Sequence, residues 1–118
     1  MDAKSLLYVL QQPPYLDDRV FEAFDALLVA AAFEQRVSVL FRGAGVTQLL
    51  ANQSPTGQRN LAKIVLSLDA YEVSDIYADA EALLSHGVQL EDCAIKPTPV
   101  SGQEISELID SQDAVLTD

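Results

Sequence analysis

The sequence predicts an α/β fold: a three-layer α/β/α sandwich around a mostly parallel five-stranded sheet, built as one domain over residues 1–118. Three observations carry this expectation. Short apolar runs alternate with helical stretches along the chain, the pattern of βαβ units, in which helices cover both faces of a parallel sheet. A length of 118 residues suits one domain with a core of its own. A hydrophobic fraction of 49% and a mean hydropathy of +0.14 exclude disorder of the low-hydrophobicity kind.

Each element follows from its residues. Ser5 to Leu10 (SLLYVL) reads as the first strand, rich in residues suited to a buried sheet. Pro13 and Pro14 place the next residues in a loop, and Asp17 and Asp18 offer an N-cap and negative charge to a helix running to about Gln35. Arg36 to Phe41 is the second strand, followed by a Gly43-Ala44-Gly45 turn and a short helix near Val46 to Ala51. Asn52 to Gln58 is a polar connection in which Ser54 and Pro55 suit a cap and a first helical residue. Leu61 to Leu68 reads as the third helix and Val73 to Tyr77 as a short strand. Asp79 to His86 is a helix stopped by Gly87, and Cys93 to Ile95 a brief strand ended by Pro97 and Pro99. Ser101 and Glu104 form a capping box for a helix over Gly102 to Asp110, and Ala114 to Thr117 is the last strand.

The first helix is unusual. From Val20 to Phe33 only Glu22 and Asp25 interrupt a run of apolar residues, whereas a helix covering one face of a sheet normally carries a polar back. If Phe21, Phe24, Leu28 and Ala32 face the sheet, then Leu27, Val29, Ala30 and Phe33 point sideways or outward. Neighbouring helices could cover those flanks. The contiguity of the run favours a subunit interface through Leu27, Val29, Ala30 and Phe33.

Composition removes several function classes. Eighteen acids against seven bases give a formal charge of −11, which opposes direct binding to a phosphate backbone or an anionic membrane surface. Asp2 and Lys4 leave no positive region of a signal peptide, and the longest apolar stretch, Ala26 to Phe33, falls far below the roughly 20 residues of a membrane span. A single cysteine fits a reducing cytoplasm. One His and one Cys without a spaced ligand cluster argue against a metal site, and no cofactor is expected.

Candidate chemistry is sparse. Cys93, the only thiol, follows Glu91 and Asp92 and has only Lys96 nearby, whereas a reactive thiolate wants positive charge or a helix N-terminus. It reads as a structural cysteine, with a persulfide role as the alternative. His86 beside Gly87 suits a helix C-terminus rather than general-base work. The Gly43-Ala44-Gly45 segment lacks the third glycine of a dinucleotide fingerprint and follows the second strand, not the first. This weighs against a flavodoxin-like binding module. Asp17, Asp18, Glu22 and Asp25 do not match the spacing of a phosphoacceptor domain and read as a solvated helix start.

Gly45-Val46-Thr47-Gln48-Leu49-Leu50, followed by Gln53 and Pro55, resembles a signature of the TusC/DsrF subunits of sulfur-relay complexes. Phe24-Asp25-Ala26-Leu27-Leu28, Leu68 to Val73, Pro97-Thr98-Pro99 and Asp113 to Leu116 fit the same family in order and spacing. The resemblance implies a DsrE-like fold and a heterohexamer with TusB/DsrH-like and TusD/DsrE-like subunits. Such complexes pass persulfide sulfur to a TusE/DsrC-type acceptor, for 2-thiolation of the tRNA wobble uridine or for sulfur oxidation. In the paralogous DsrE/TusD subunit the sulfur-carrying cysteine opens the helix after the third strand, where this chain has Asp79. The resemblance therefore implies a non-catalytic, cytoplasmic subunit.

Overall fold

The computed structural model describes residues 4–13, 19–33, 35–50, 61–73 and 75–118. Strand β1 spans Ser5–Leu10, helix α1 Arg19–Ala32 and strand β2 Arg36–Phe41, followed by a 3-10 helix at Gly43–Leu49. Helix α2 (Leu61–Ala70), strand β3 (Asp75–Asp79), helix α3 (Ala80–Ser85) and a 3-10 turn at Leu90–Asp92 come next. Strand β4 (Thr98–Val100), helix α4 (Gly102–Asp110) and strand β5 (Ala114–Thr117) complete the order. The sheet runs β4-β3-β2-β1-β5, and each neighbouring pair is parallel. The expected five-stranded α/β sheet is therefore present.

Alternation along the strands assigns the two faces. Tyr8, Leu10, Val37, Val39, Phe41, Ile76 and Ala78 pack under Phe24 and Leu27 of α1, Val65 and Leu68 of α2, and Ala82 and Leu83 of α3. On the reverse face Leu7, Val9, Leu40 and Val100 pack against Ile105 of α4, with Leu108 and Ile109 beside it. Strands buried on both faces need apolar residues at consecutive positions, and β1 and β2 supply them. At the β1–β5 edge two carboxylates bracket the ladder. Ser5 donates its N–H to Asp113 Oδ2 at 2.8 Å, and Gln11 donates its N–H to Asp118 Oδ1 at 2.8 Å.

Four expectations need correction. The third strand is Asp75–Asp79, not Val73–Tyr77. Val73 instead packs into the core after the helix, and its N–H closes onto Leu68 O at 2.9 Å, sealing the end of α2 through Glu72 at a φ of 61°. The fourth strand is Thr98–Val100, whereas Cys93 makes only an isolated antiparallel bridge to Leu50. Pro99 is tolerated there because β4 lies at the sheet edge. Turn and short helix after β2 merge into one 3-10 helix that starts at Gly43. Finally, α1 is rotated from the expected phase: Leu27 is 0% exposed and Ala32 is exposed, so Phe24 and Leu27 form the inward stripe. The Asp17–Asp18 and Ser54–Pro55 caps, like the Pro14 loop, Gln53 and Ala51, lie outside the described residues.

Candidate functional site

Ligands of parallel α/β sheets gather at the carboxyl ends of the strands. Here the end of β1 is covered by the chain itself. Gly43–Leu49 folds across the end of β1 as follows. Leu10 O accepts the N–H of Arg42 at 3.0 Å, and Gly45 closes on Arg42 O at 3.0 Å. A Cβ on Gly45 would meet Leu10 O at 1.9 Å, so only glycine permits this approach. Thr47 donates its hydroxyl to Ala44 O at 2.7 Å, holding the turn from within. Gln48, fully buried, donates Nε2 to Gln12 O at 2.6 Å and ties the 3-10 helix to the segment after β1. Val46 and Leu49 enter the core, and Leu49 O accepts the N–H of Ala94 at 2.7 Å beside the Leu50–Cys93 bridge. Every residue of Gly45-Val46-Thr47-Gln48-Leu49-Leu50 thus has an architectural task.

Two positions at this end bear on sulfur chemistry. Asp79 ends β3 and is the N-cap of α3, where its Oδ1 accepts the N–H of Glu81 at 3.1 Å. A carboxylate satisfies the helix start but offers no sulfur. Cys93 is half-buried and donates its thiol to Gln89 O at 3.5 Å. Burial first, then the charges of Asp92 and Glu91, push its thiol pKa above the usual range. Such a thiol stays protonated and is a poor nucleophile near neutral pH. His86 caps α3 through its backbone N–H, which reaches Ala82 O and Leu84 O, and Gly87 follows at a φ of 64°. Among the described residues no group of three or more His, Cys, Asp or Glu is placed to hold a metal ion. No helix among them is long and apolar enough to cross a membrane.

The outer face of α1 is the second candidate region. Its exposed stripe runs Glu22, Asp25, Ala26, Val29, Ala32 and Phe33, one residue or pair per turn. Val29 is 57% and Phe33 74% exposed, while Ala30 is half-buried against the core. Of the residues expected to face outward, Val29 and Phe33 do so, Ala30 lies at the flank and Leu27 points into the core. Sequence reasoning did not single out Tyr71, which is 46% exposed just beyond α2. Tyr71 lines a groove of about 320 Å³ with Asp25, Leu28, Val29 and Ala32. Its aromatic ring directly before a helix-ending residue was the only signal available in the sequence.

Comparison with known proteins gives a consistent pattern. The model of the DsrE/DsrF-like family matches residues 4–117. A protein named TusC homolog from Vibrio parahaemolyticus is 28% identical over 114 residues, which cover 95% of this chain and 97% of the relative. The intracellular sulfur oxidation protein DsrF of Allochromatium vinosum is 35% identical over 91 residues, 75% of this chain and 67% of that protein. The crystal structure of the YchN protein from E. coli superposes with a TM-score of 0.86 at 18% identity, covering 98% of this chain and 99% of that one. At that identity the likeness concerns the fold alone.

Proposed function

The chain belongs to the DsrE/DsrF-like family, among relatives of the TusC/DsrF type, and on that premise we propose that it is a non-catalytic subunit of a sulfur-relay complex. One observation carries the non-catalytic part: the helix start after β3 holds Asp79 as a capping carboxylate. A helix N-terminus is where a thiolate or persulfide anion is stabilised, and the paralogous subunits of such complexes place their sulfur-carrying cysteine there. The protonated, half-buried Cys93 does not replace it.

The complex is a heterohexamer with DsrE-like and DsrH-like sister subunits, acting in the cytoplasm, and the exposed α1 stripe through Val29, with Ala30 at its flank, and Phe33 is one of its interfaces. Persulfide sulfur passes from the DsrE-like subunit to a TusE/DsrC-type acceptor and on to the wobble uridine of tRNA. Near-complete coverage of the TusC homolog from Vibrio parahaemolyticus supports this destination. A second destination, sulfur oxidation, is favoured by the 35% identity to the Allochromatium vinosum protein. At a formal charge of −11 the chain reaches RNA only through the acceptor.

The test is sulfur transfer by the reconstituted complex carrying Cys93→Ser. Unchanged transfer supports the non-catalytic reading; abolished transfer with assembly intact would make Cys93 a sulfur carrier. The 2-thiouridine content of tRNA from cells lacking this chain separates the two destinations.

A further inference from the structure

The two faces of the sheet are secured unequally. On one face α1, α2 and α3 bury Phe24, Leu27, Val65, Leu68, Ala82 and Leu83. Among the described residues the reverse face is covered by α4, whose one buried side chain is Ile105, with Leu108 and Ile109 half-buried beside it. Strand β5 adds little apolar anchorage. All four of its residues are exposed, Val115 at 39% and Leu116 at 41%, and none of them enters either core cluster of the described residues.

Polar contacts at its two ends hold β5 instead. Asp113 accepts the Ser5 N–H at 2.8 Å and the Ser5 hydroxyl at 3.2 Å, and Asp118 accepts the Gln11 N–H at 2.8 Å. Between these clasps runs the ladder to β1. Helix α4 closes its own ends, with the Ser101–Glu104 capping box at the start and the Ser111 hydroxyl donating to Leu108 O at 2.7 Å. It needs no cap from the rest of the domain. Both elements follow β4 in chain order, and their release leaves the β1–β2, β2–β3 and β3–β4 pairs intact.

We propose that α4 and β5 form a strap, joined to β4 through Ser101, that opens as a unit while β1–β4 and α1–α3 stay folded. Segments with few buried apolar contacts open at less than the free energy of global unfolding, in cooperative units that coincide with supersecondary motifs. Opening uncovers Leu7, Val9, Leu40 and Val100 on the reverse face and frees the β5-side edge of β1. A bare strand edge can pair with another chain, so the closed strap also guards the domain against unwanted association. This device goes beyond the sulfur-relay reading and needs no partner subunit.

Strand β1 reports the opening directly. Ser5 and Gln11 point their N–H groups at the carboxylates of Asp113 and Asp118, whereas Lys4 O and Leu10 O accept from Arg36 and Arg42 on the β2 side. By alternation the Leu7 and Val9 amides face β5, and those of Leu6 and Tyr8 face β2. Native-state hydrogen exchange followed by NMR, corrected for intrinsic rates, is the test, on the chain in the form in which it is isolated. Leu7 and Val9 should exchange together with β5, about tenfold or more faster than Tyr8 and Val39. Val65→Ala opens a cavity in the opposite core, which the closed and the strap-open states share. It should therefore speed Tyr8 and Val39 by about tenfold and leave Leu7 and Val9 unchanged. Asp113→Ala weakens closure itself and should speed Leu7 and Val9 by about threefold or more. Equal rates for Leu7 and Tyr8 in the wild-type chain would overturn the proposal. So would a Val65→Ala chain in which both amides accelerate alike.

Discussion

Replacing Gly45 by alanine should be the most damaging single methyl addition in the described chain. The new Cβ would lie 1.9 Å from Leu10 O, 2.6 Å from Leu10 C and 3.0 Å from Gln11 Cα, all backbone atoms. Real Cβ contacts stay beyond 3.0 Å, so the 3-10 helix must lift away from the end of β1. Leu10 lies at the end of a strand that pairs with both β2 and β5, so β1 has little freedom to yield. Lifting the 3-10 helix strains Gln48 Nε2 against Gln12 O and withdraws Val46 and Leu49 from the core. Overpacking of this kind costs about 1–3 kcal/mol, and a backbone-on-backbone clash belongs at the upper end. For a domain of this size about 3 kcal/mol lowers Tm by roughly 10 °C or more. Two internal controls calibrate the claim. Gly43 has open space but a φ of +55°, so Gly43→Ala should cost about 1 kcal/mol from backbone strain alone. Gly102 has open space and opens α4, so Gly102→Ala should be neutral or slightly stabilising. Urea unfolding of the three variants, in the form in which the protein is isolated, gives the order directly. A Gly45→Ala midpoint equal to wild type, or a larger loss at Gly43, would refute the reasoning.

Other outcomes follow from the same geometry. Leu27→Ala should destabilise the fold by about 2–5 kcal/mol through a core cavity, whereas Val29→Asp should leave thermal unfolding unchanged and weaken assembly; equal effects in a melting assay would show that the phase of α1 is wrong. Hydrogen bonds from the Ser5 N–H and hydroxyl hold the Asp113 carboxyl below its ordinary pKa. Its contribution to stability is therefore present above the ordinary carboxylate value and is lost as pH falls through the lower folded value. Asp113→Asn should accordingly be less stable than wild type at pH 7, and the gap should close below about pH 4 in acid-unfolding curves. Asp79→Ala should cost about 1 kcal/mol by uncapping α3, and Asp79→Ser should restore most of it in the same denaturation assay.

Local signals made much of the fold legible. β1, β2 and β5 appear at their expected bounds because their apolar runs are short and clearly bounded, and α4 announces itself by the Ser101–Glu104 capping box. What the residues hid had tertiary causes. Val73 looks like a strand residue because it is apolar and β-branched, yet it is buried as the sealing residue of a helix end whose left-handed position is Glu72, not the usual glycine. β4 contains Pro99, which speaks against a strand until the sheet order shows that it lies at an edge. In α1 the difficulty was phase. A helix apolar on nearly every side fits several rotations, and only packing under Tyr8 and Val39 separates inward Leu27 from outward Val29. The candidate site was legible only in part. Gly45-Val46-Thr47-Gln48-Leu49-Leu50 could be recognised as a motif, but its task of sealing the end of β1 depends on contacts to Leu10 and Gln12, far away in sequence.

Native mass spectrometry of the chain co-expressed with its two candidate sister subunits tests the central claim most directly. The account predicts a defined heterohexamer containing two copies of this chain, stable when Cys93 is serine. A monomer or homo-oligomer that takes up neither sister would contradict it.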